Sequence, residues 1–156
     1  MKHIATTTFL AVTVALPVVA QAREVSLNTE LKDYSGNAAY LAIYLTDANG
    51  NYQKTLWVSG KKSKYYKHLT DWNRGKNQTP GGFDGVSGAS VGSGERLTVS
   101  IELADILIDS GYQIRIDTAV EDQRDVRADI KVPLTRDGSG KPVTGSTYVQ
   151  SFSYDL

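Results

Sequence analysis

Residues 39–59 read AYLAIYLTDANGNYQKTLWVS, and this stretch decides the fold class. Tyrosine or alanine alternates with leucine or isoleucine from Tyr40 to Leu45, which is the two-residue period of a β-strand. Residues 47–50, DANG, supply the turn chemistry of a hairpin, and residues 51–59 return as the partner strand. The stretch therefore predicts a β-hairpin buried on at least one face.

Outward from this hairpin, further segments alternate apolar and polar side chains in the same way. They are residues 24–32, 96–103, 112–120, 128–134 and 147–154. Residues 104–111 fit either one helical turn or a continued strand. Short strands separated by turn residues, without an internal repeat or a break in composition, indicate one β domain. We predict an all-β, Ig-like antiparallel β-sandwich that occupies residues 23–156.

Residues 61–76, KKSKYYKHLTDWNRGK, depart from the strand pattern. Tyr65, Leu69 and Trp72 follow the spacing of one helix face, and basic side chains cover much of the rest. We therefore predict one short amphipathic helix over about 61–75. The lysines and arginines of this segment are candidates for attracting a phosphate, haem propionates or an acidic partner, although charged helix faces are commonly only solvated.

The first 22 residues have the character of a secretory signal peptide. A short basic start is followed by an apolar run, and Ala20-Gln21-Ala22 fits the small-x-small cleavage rule. Cleavage would leave an exported chain of 134 residues, with 16 basic and 17 acidic side chains. This near-neutral charge argues against a nucleic-acid partner. The chain has no cysteine, which excludes disulfides and thiol catalysis, and His68 is the one histidine left, so a metal site built on histidines is not expected.

A glycine-rich segment, residues 77–94, is predicted to be a long flexible loop. Within it, residues 84–90 read DGVSGAS, which fits the pattern Asp-x-x-Ser/Thr-Gly-Ala-Ser/Thr. A hydroxyl that receives a phosphate group must enter the cleft of another enzyme on an extended backbone. Gly88 and Ala89 suit that role because they carry no bulky side chain.

This pattern resembles the flavinylation motif, the acceptor sequence of the periplasmic FAD:protein FMN transferase. The resemblance implies that FMN is joined to Ser90 through a phosphoester bond, at a position where the family usually has threonine. Asp84 would position the segment or a Mg²⁺ ion, and Ser87 would hydrogen-bond locally. Without the motif, the segment would be an ordinary surface loop.

Nearly all of residues 24–156 is similar to a family of predicted periplasmic proteins that carry a domain of unknown function. The most specific parts of this resemblance are the stretch from Tyr65 to Trp72 and the motif from Asp84 to Ser90. Genes of that family often lie beside PepSY-domain membrane proteins and flavin transferases. The resemblance implies electron transfer between a PepSY-type membrane reductase and an extracytoplasmic acceptor, in ferric-siderophore or haem-iron reduction. It favours a redox carrier over a stand-alone enzyme.

Several side chains have both a functional and a structural interpretation. Tyr65 and Trp72, with Trp57 and Tyr66, are candidates for stacking on a flavin, or they pack in the core. His68 is more consistent with a structural or solvated histidine than with a ligand. An acidic stretch, which comprises Asp117, Glu121, Asp122, Asp125 and Asp129, lies far from the basic segment in sequence and predicts a charge dipole.

Two function classes other than a flavin carrier remain open from the sequence. The same sandwich would serve as a binding module if the basic helix and the loop met haem, a ferric chelate or a partner protein. It would serve as a structural accessory domain if it bound neither flavin nor ligand.

Overall fold

The computed structural model describes residues 21–79 and 86–156. The predicted signal peptide lies outside the described residues except for Gln21 and Ala22. Nine regular elements follow one another along the described chain: β1 Ala22–Leu31, β2 Tyr40–Thr46, β3 Tyr52–Ser59, α1 Thr70–Gln78, β4 Ser87–Gly88, β5 Arg96–Ala104, β6 Gln113–Ala119, β7 Val126–Pro133 and β8 Val149–Asp155. Short 3-10 helices occur at Ser63–His68 and Asp105–Leu107.

The strands form two sheets. One sheet has the order β5-β1-β8, and the other has the order β4-β3-β2-β6-β7. The strand β2 pairs antiparallel with β3 and with β6, which confirms the predicted hairpin at the centre of the larger sheet. The predicted all-β sandwich with one short helix is confirmed, and the observed strands other than β4 agree with the predicted segments to within two residues at each end.

The main core lies between the two sheets. Alternate side chains of β1, such as Val25 and Leu27, meet those of β2, such as Leu41 and Ile43, and all four are fully buried. This two-sided contact explains why the sequence alternates, since every second side chain of a strand faces the opposite sheet.

A second apolar cluster covers the outer face of the larger sheet. Leu69 and Trp72, from the segment around α1, pack onto Ala42, Tyr44 and Val58 of the sheet. The helix thus closes a face that would otherwise present tyrosine and aliphatic surface to water.

The helix prediction is wrong in its bounds. A 3-10 helix occupies Ser63–His68, Leu69 has a non-helical backbone, and the α-helix begins at Thr70 and continues to Gln78. The predicted face assumed one continuous helix through Tyr65, Leu69 and Trp72. The break at Leu69 instead allows Leu69 and Trp72 to insert into the second cluster, while Tyr65 stays near the surface.

The sheet also departs from a purely antiparallel arrangement. The two-residue strand β4 pairs parallel with the end of β3, in the register Val58↔Ser87 and Ser59↔Gly88. The glycine-rich segment is therefore not loop throughout, because a short edge strand tolerates glycine where a central strand does not. Residues 104–111 follow the helical-turn alternative, since β5 ends at Ala104 and a 3-10 helix follows at Asp105–Leu107.

Candidate functional site

Ser90 lies between two anchored points of the backbone. On one side, the Gly88 carbonyl accepts a hydrogen bond of 2.9 Å from the Gly60 amide. On the other side, Val91 and Ala39 exchange two backbone hydrogen bonds, of 2.7 and 3.0 Å. Only Ala89 and Ser90 lie between these points. The sequence motif therefore ends in a short span held at both ends.

Ser90 is accessible enough to be an acceptor. Its side chain is partly buried, and both Ser87 and Ala89 are exposed. Within the described part of the chain, no residue hydrogen-bonds to the Ser90 hydroxyl. A hydroxyl without an internal partner can turn toward an approaching phosphate group without first losing a bond. Asp84 lies outside the described residues, so its predicted role stays a prediction.

Gly88 has a structural reason to be glycine. A Cβ added there would lie 2.5 Å from the Cζ2 of Trp57, which is closer than carbon atoms can approach without movement. The Trp57 indole is partly buried and donates a hydrogen bond of 2.9 Å to the Ser59 hydroxyl, so its ring is fixed in position. Trp57 is therefore the aromatic side chain that touches the motif, which the sequence did not reveal.

We expect Gly88→Ala to lower the free energy of unfolding by about 1–3 kcal/mol, since the added methyl must displace the indole or the edge strand. Urea unfolding measures this loss. Ser87→Ala, at the exposed neighbouring position, is the matched control and should change stability by no more than about 0.5 kcal/mol. Equal stability of the two variants would contradict the contact with Trp57.

Trp72 and Tyr65, two of the remaining aromatic candidates, differ in their surroundings. Trp72 is fully buried, and its indole donates to the Thr55 hydroxyl at 2.8 Å. It therefore packs in the second cluster and offers no open face on which a flavin ring could stack. Tyr65 is partly buried and lines a cavity of about 350 Å³.

This cavity, here called the tyrosine cavity, opens beside the 3-10 helix that contains Tyr65. Its walls combine aromatic, aliphatic and acidic groups: Tyr40, Tyr65, His68, Ala119, Val120, Glu121, Asp122, Gln123 and Asp125. His68 Nδ1 lies 2.9 Å from an Asp125 carboxylate oxygen, so the structural interpretation of His68 is favoured over ligation. Among the described residues, no group of three or more metal-ligating side chains is present.

The predicted separation of acidic and basic segments is wrong. Glu121 accepts a hydrogen bond of 2.9 Å from Tyr65, and Asp125 pairs with His68, so part of the acidic stretch contacts the basic segment directly. Asp117 and Asp129 are buried and contribute nothing to a surface dipole. Distance along the sequence does not reflect distance in space here, because β6 and β7 bring this stretch back across the sheet.

The basic side chains nearest the motif are exposed. Lys61 and Lys62 directly follow Gly60, whose amide holds the motif backbone, and both are solvent-exposed. Farther along, Lys64 and Lys76 lie over the rings of Tyr65 and Trp72, with their ammonium groups 4.9 and 5.2 Å from the ring centroids. Lys61 and Lys62 are therefore the basic side chains that adjoin the residue anchoring the motif.

Comparison with known proteins identifies a family. A model of the family DUF2271, described as a predicted periplasmic protein, matches residues 22–151. The resemblance to a family of predicted periplasmic proteins is thereby confirmed, and the protein is periplasmic. No curated protein matches the chain, and no solved structure matches it. None of the helices in the described ranges is long and apolar enough to cross a membrane.

Proposed function

Because the chain belongs to the DUF2271 family of predicted periplasmic proteins, we propose that it is a periplasmic electron carrier with FMN bound covalently to Ser90. It passes electrons between a PepSY-type membrane protein and an extracytoplasmic acceptor such as a ferric siderophore or haem iron. The observation that carries the proposal is the presentation of Ser90. The hydroxyl that the motif designates is partly exposed, has no partner among the described residues and lies between two backbone anchors.

The attachment is a group transfer without oxidation or reduction. FAD:protein FMN transferase supplies FAD. A bond forms between the Ser90 Oγ and the phosphorus of the FMN half, and the pyrophosphate bond of FAD breaks. AMP leaves, and the hydroxyl proton is released. The chain contributes an extended acceptor backbone whose neighbours, Gly88 and Ala89, keep side chains out of the transferase cleft.

The residues around Ser90 suit the product of this transfer. A phosphodiester carries one negative charge, and the exposed Lys61 and Lys62 stand next to the backbone that holds the motif. The bound FMN would supply one- and two-electron chemistry, while the protein tethers it and shapes its surroundings. A covalent bond also prevents loss of the flavin by diffusion.

Intact mass spectrometry of the protein from a periplasm with an active transferase tests this proposal. The parent protein should be heavier by one FMN less one water, and Ser90→Ala should lack this increment. Ser93→Ala is the matched control, because it removes an exposed hydroxyl three residues away that lies outside the motif, and it should retain the increment. An unmodified parent, or a Ser90→Ala variant that still carries FMN, would refute the assignment.

One observation favours a second candidate function, a binding module without flavin. Lys61, Lys62, Lys64 and Lys67 are all exposed and form a basic surface that suits an anionic ferric chelate or haem. Titration of Ser90→Ala with haem or a ferric chelate distinguishes the two functions. Saturable binding by a protein whose parent form carries no flavin would favour the binding module.

A further inference from the structure

We propose that the tyrosine cavity receives the isoalloxazine ring of the flavin that Ser90 carries. This inference rests on the proposed function and deepens it, because it assigns a ring site to a motif that specifies only the point of attachment. Three features support it: the position of Ser90 relative to Tyr40, the shape and lining of the cavity, and the hydrogen bonds that hold its rim.

The side chains of Ser90 and Tyr40 lie on the same side of the larger sheet. The antiparallel pairing of Ala39 with Val91 places Tyr40, which follows Ala39, opposite Ser90, which precedes Val91. Successive side chains of an extended segment point to opposite faces. Ala39 and Val91 are buried in the main core, at 0% and 4% exposure, so Tyr40 and Ser90 face outward together.

Gly60 connects these two side chains. A Cβ added at Gly60 would clash with the Tyr40 ring, so the ring covers this residue. The Gly60 amide donates to the Gly88 carbonyl, and its carbonyl accepts a hydrogen bond of 2.7 Å from Tyr66. The ring of Tyr40, which forms part of the cavity wall, and the acceptor segment are therefore both in contact with Gly60.

The cavity has the shape and the lining that a flat aromatic ring requires. The Tyr40 and Tyr65 rings form one wall, with centroids 5.4 Å apart and planes inclined at 60°. Ala119 and Val120 add apolar surface. A volume of about 350 Å³ falls in the range of small-molecule sites. Aromatic surfaces of this kind bind planar rings by stacking and edge contacts.

The rim offers polar groups that are already held in place. Glu121 accepts hydrogen bonds from the Tyr65 hydroxyl at 2.9 Å and from the Asn37 amide at 3.3 Å. His68 and Asp125 form a second fixed pair. An isoalloxazine ring has hydrogen-bonding atoms along one edge, so a site with an apolar wall and a polar rim matches both of its sides.

Flavin fluorescence in the flavinylated protein tests the ring site, since a tyrosine or tryptophan in contact with the ring quenches it. The parent should fluoresce several-fold less than free FMN. Tyr65→Leu should recover part of that loss, because Tyr40 remains as a second quencher, while Tyr65→Trp, which restores an aromatic quencher, should stay as dark as the parent. Tyr112→Leu is the control at the opposite end of β6 and should match the parent. Parent fluorescence equal to that of free FMN, or unchanged fluorescence in Tyr65→Leu, would overturn the ring site.

Failure of the attachment is distinguished from failure of the ring site by mass and by a second titration. If intact mass shows no FMN on the parent, the proposed function fails, and riboflavin is titrated into the same unmodified protein. Stronger quenching of riboflavin by the parent than by Tyr65→Leu would then support a ring site that needs no tether. The absence of quenching by the parent would overturn it.

Discussion

Replacing Asp129 with alanine is expected to lower the free energy of unfolding by about 3–5 kcal/mol, because several buried or partly buried donors lose the acceptor they share. Asp129 lies in β7 and is only 4% exposed. Its carboxylate accepts hydrogen bonds from the backbone amides of Thr147, Tyr148 and Val149, at 2.7, 2.8 and 3.0 Å. The Ser146 and Thr118 hydroxyls add two more, at 3.0 and 3.2 Å.

These contacts make Asp129 the anchor of the last strand. The three amides belong to the residues that lead into β8, which pairs with β1 in the smaller sheet, whereas Asp129 itself belongs to the larger sheet. Loss of the carboxylate leaves buried donors without an acceptor, and each such donor is costly. The connection between the sheets at this end should therefore loosen before the rest of the sandwich.

Urea unfolding of the parent and of Asp129→Ala measures the loss. The matched control is Asp137→Ala, because the Asp137 side chain is 92% exposed and pairs only with Lys141 among the described residues. The control should change stability by no more than about 0.5 kcal/mol. Equal losses in the two variants would show that the buried network does not stabilise the fold.

The sequence predicts the architecture well because the sandwich depends on local alternation. The hairpin of β2 and β3 is readable from residues 39–59, where the apolar period and the turn residues agree. The predicted segments match the other long strands for the same reason. Strand β4 was not predictable, since a pair of residues has no period and acquires its structure only from the edge of β3.

The roles of the buried aspartates could not be predicted from the sequence either. Alternation treats an aspartate as a surface residue, whereas Asp117 is buried beneath α1 and Asp129 is buried beside the start of β8, and both bind amides that are distant in sequence. The break of the helix at Leu69 also depends on packing, because it satisfies the second cluster and not the local helical spacing.

Only the part of the candidate site that is formed by consecutive residues could be predicted from the sequence. The motif designates Ser90 in one short segment. The tyrosine cavity, by contrast, is assembled from β2, from the 3-10 helix and from the turn after β6, so Tyr40, Tyr65 and Glu121 have no common pattern in the sequence. Trp57 is likewise identified only by its contact with Gly88.

Asp117→Asn is expected to destabilise the protein by about 2–3 kcal/mol near neutral pH, because one acceptor becomes a donor in a buried site. Asp117 is fully buried in β6. One carboxylate oxygen accepts from the Tyr44 hydroxyl at 3.0 Å and from the Ala128 amide at 2.9 Å. The other accepts from the Trp72 amide at 2.9 Å. An asparagine side chain keeps only one acceptor oxygen, because an NH2 donor takes the place of the other.

The hydrogen bond from the Trp72 amide to Asp117 joins α1 to the larger sheet. Trp72 is in the first turn of α1, where the helix itself offers no acceptor to a backbone amide, and Leu69 before the helix provides no side-chain cap. Asp117, from the strand β6, therefore caps the helix by accepting this hydrogen bond, and its negative charge also suits the helix N-terminus. In the Asp117→Asn variant, the side-chain amide nitrogen must face the N–H of either Trp72 or Ala128, donor against donor, whichever way the amide is turned.

The size of this destabilisation should depend on pH. Burial, as the largest cause, raises the pKa of Asp117 above its usual value, and the nearby Asp71 carboxylate acts in the same direction, while the three hydrogen bonds oppose them. Between the ordinary pKa of about 3.9 and the raised one, the folded state binds a proton that the unfolded state has released. The contribution of Asp117 to stability therefore falls as pH rises through this window.

Urea unfolding of the parent and of Asp117→Asn at a series of pH values isolates this contribution. Hydrogen bonds lower the pKa of Asp47, and hydrogen bonds from Arg23 and Arg136 lower the pKa values of Asp105 and Asp109. The stability that these three groups contribute is therefore lost as pH falls, opposite to the contribution of Asp117. They are present in both proteins and cancel in the difference. The stability of the parent relative to the variant should grow as pH falls from neutral toward about 4, the unfolded-state pKa. A difference that is constant or shrinks on acidification would mean that the hydrogen bonds to Asp117 outweigh its burial.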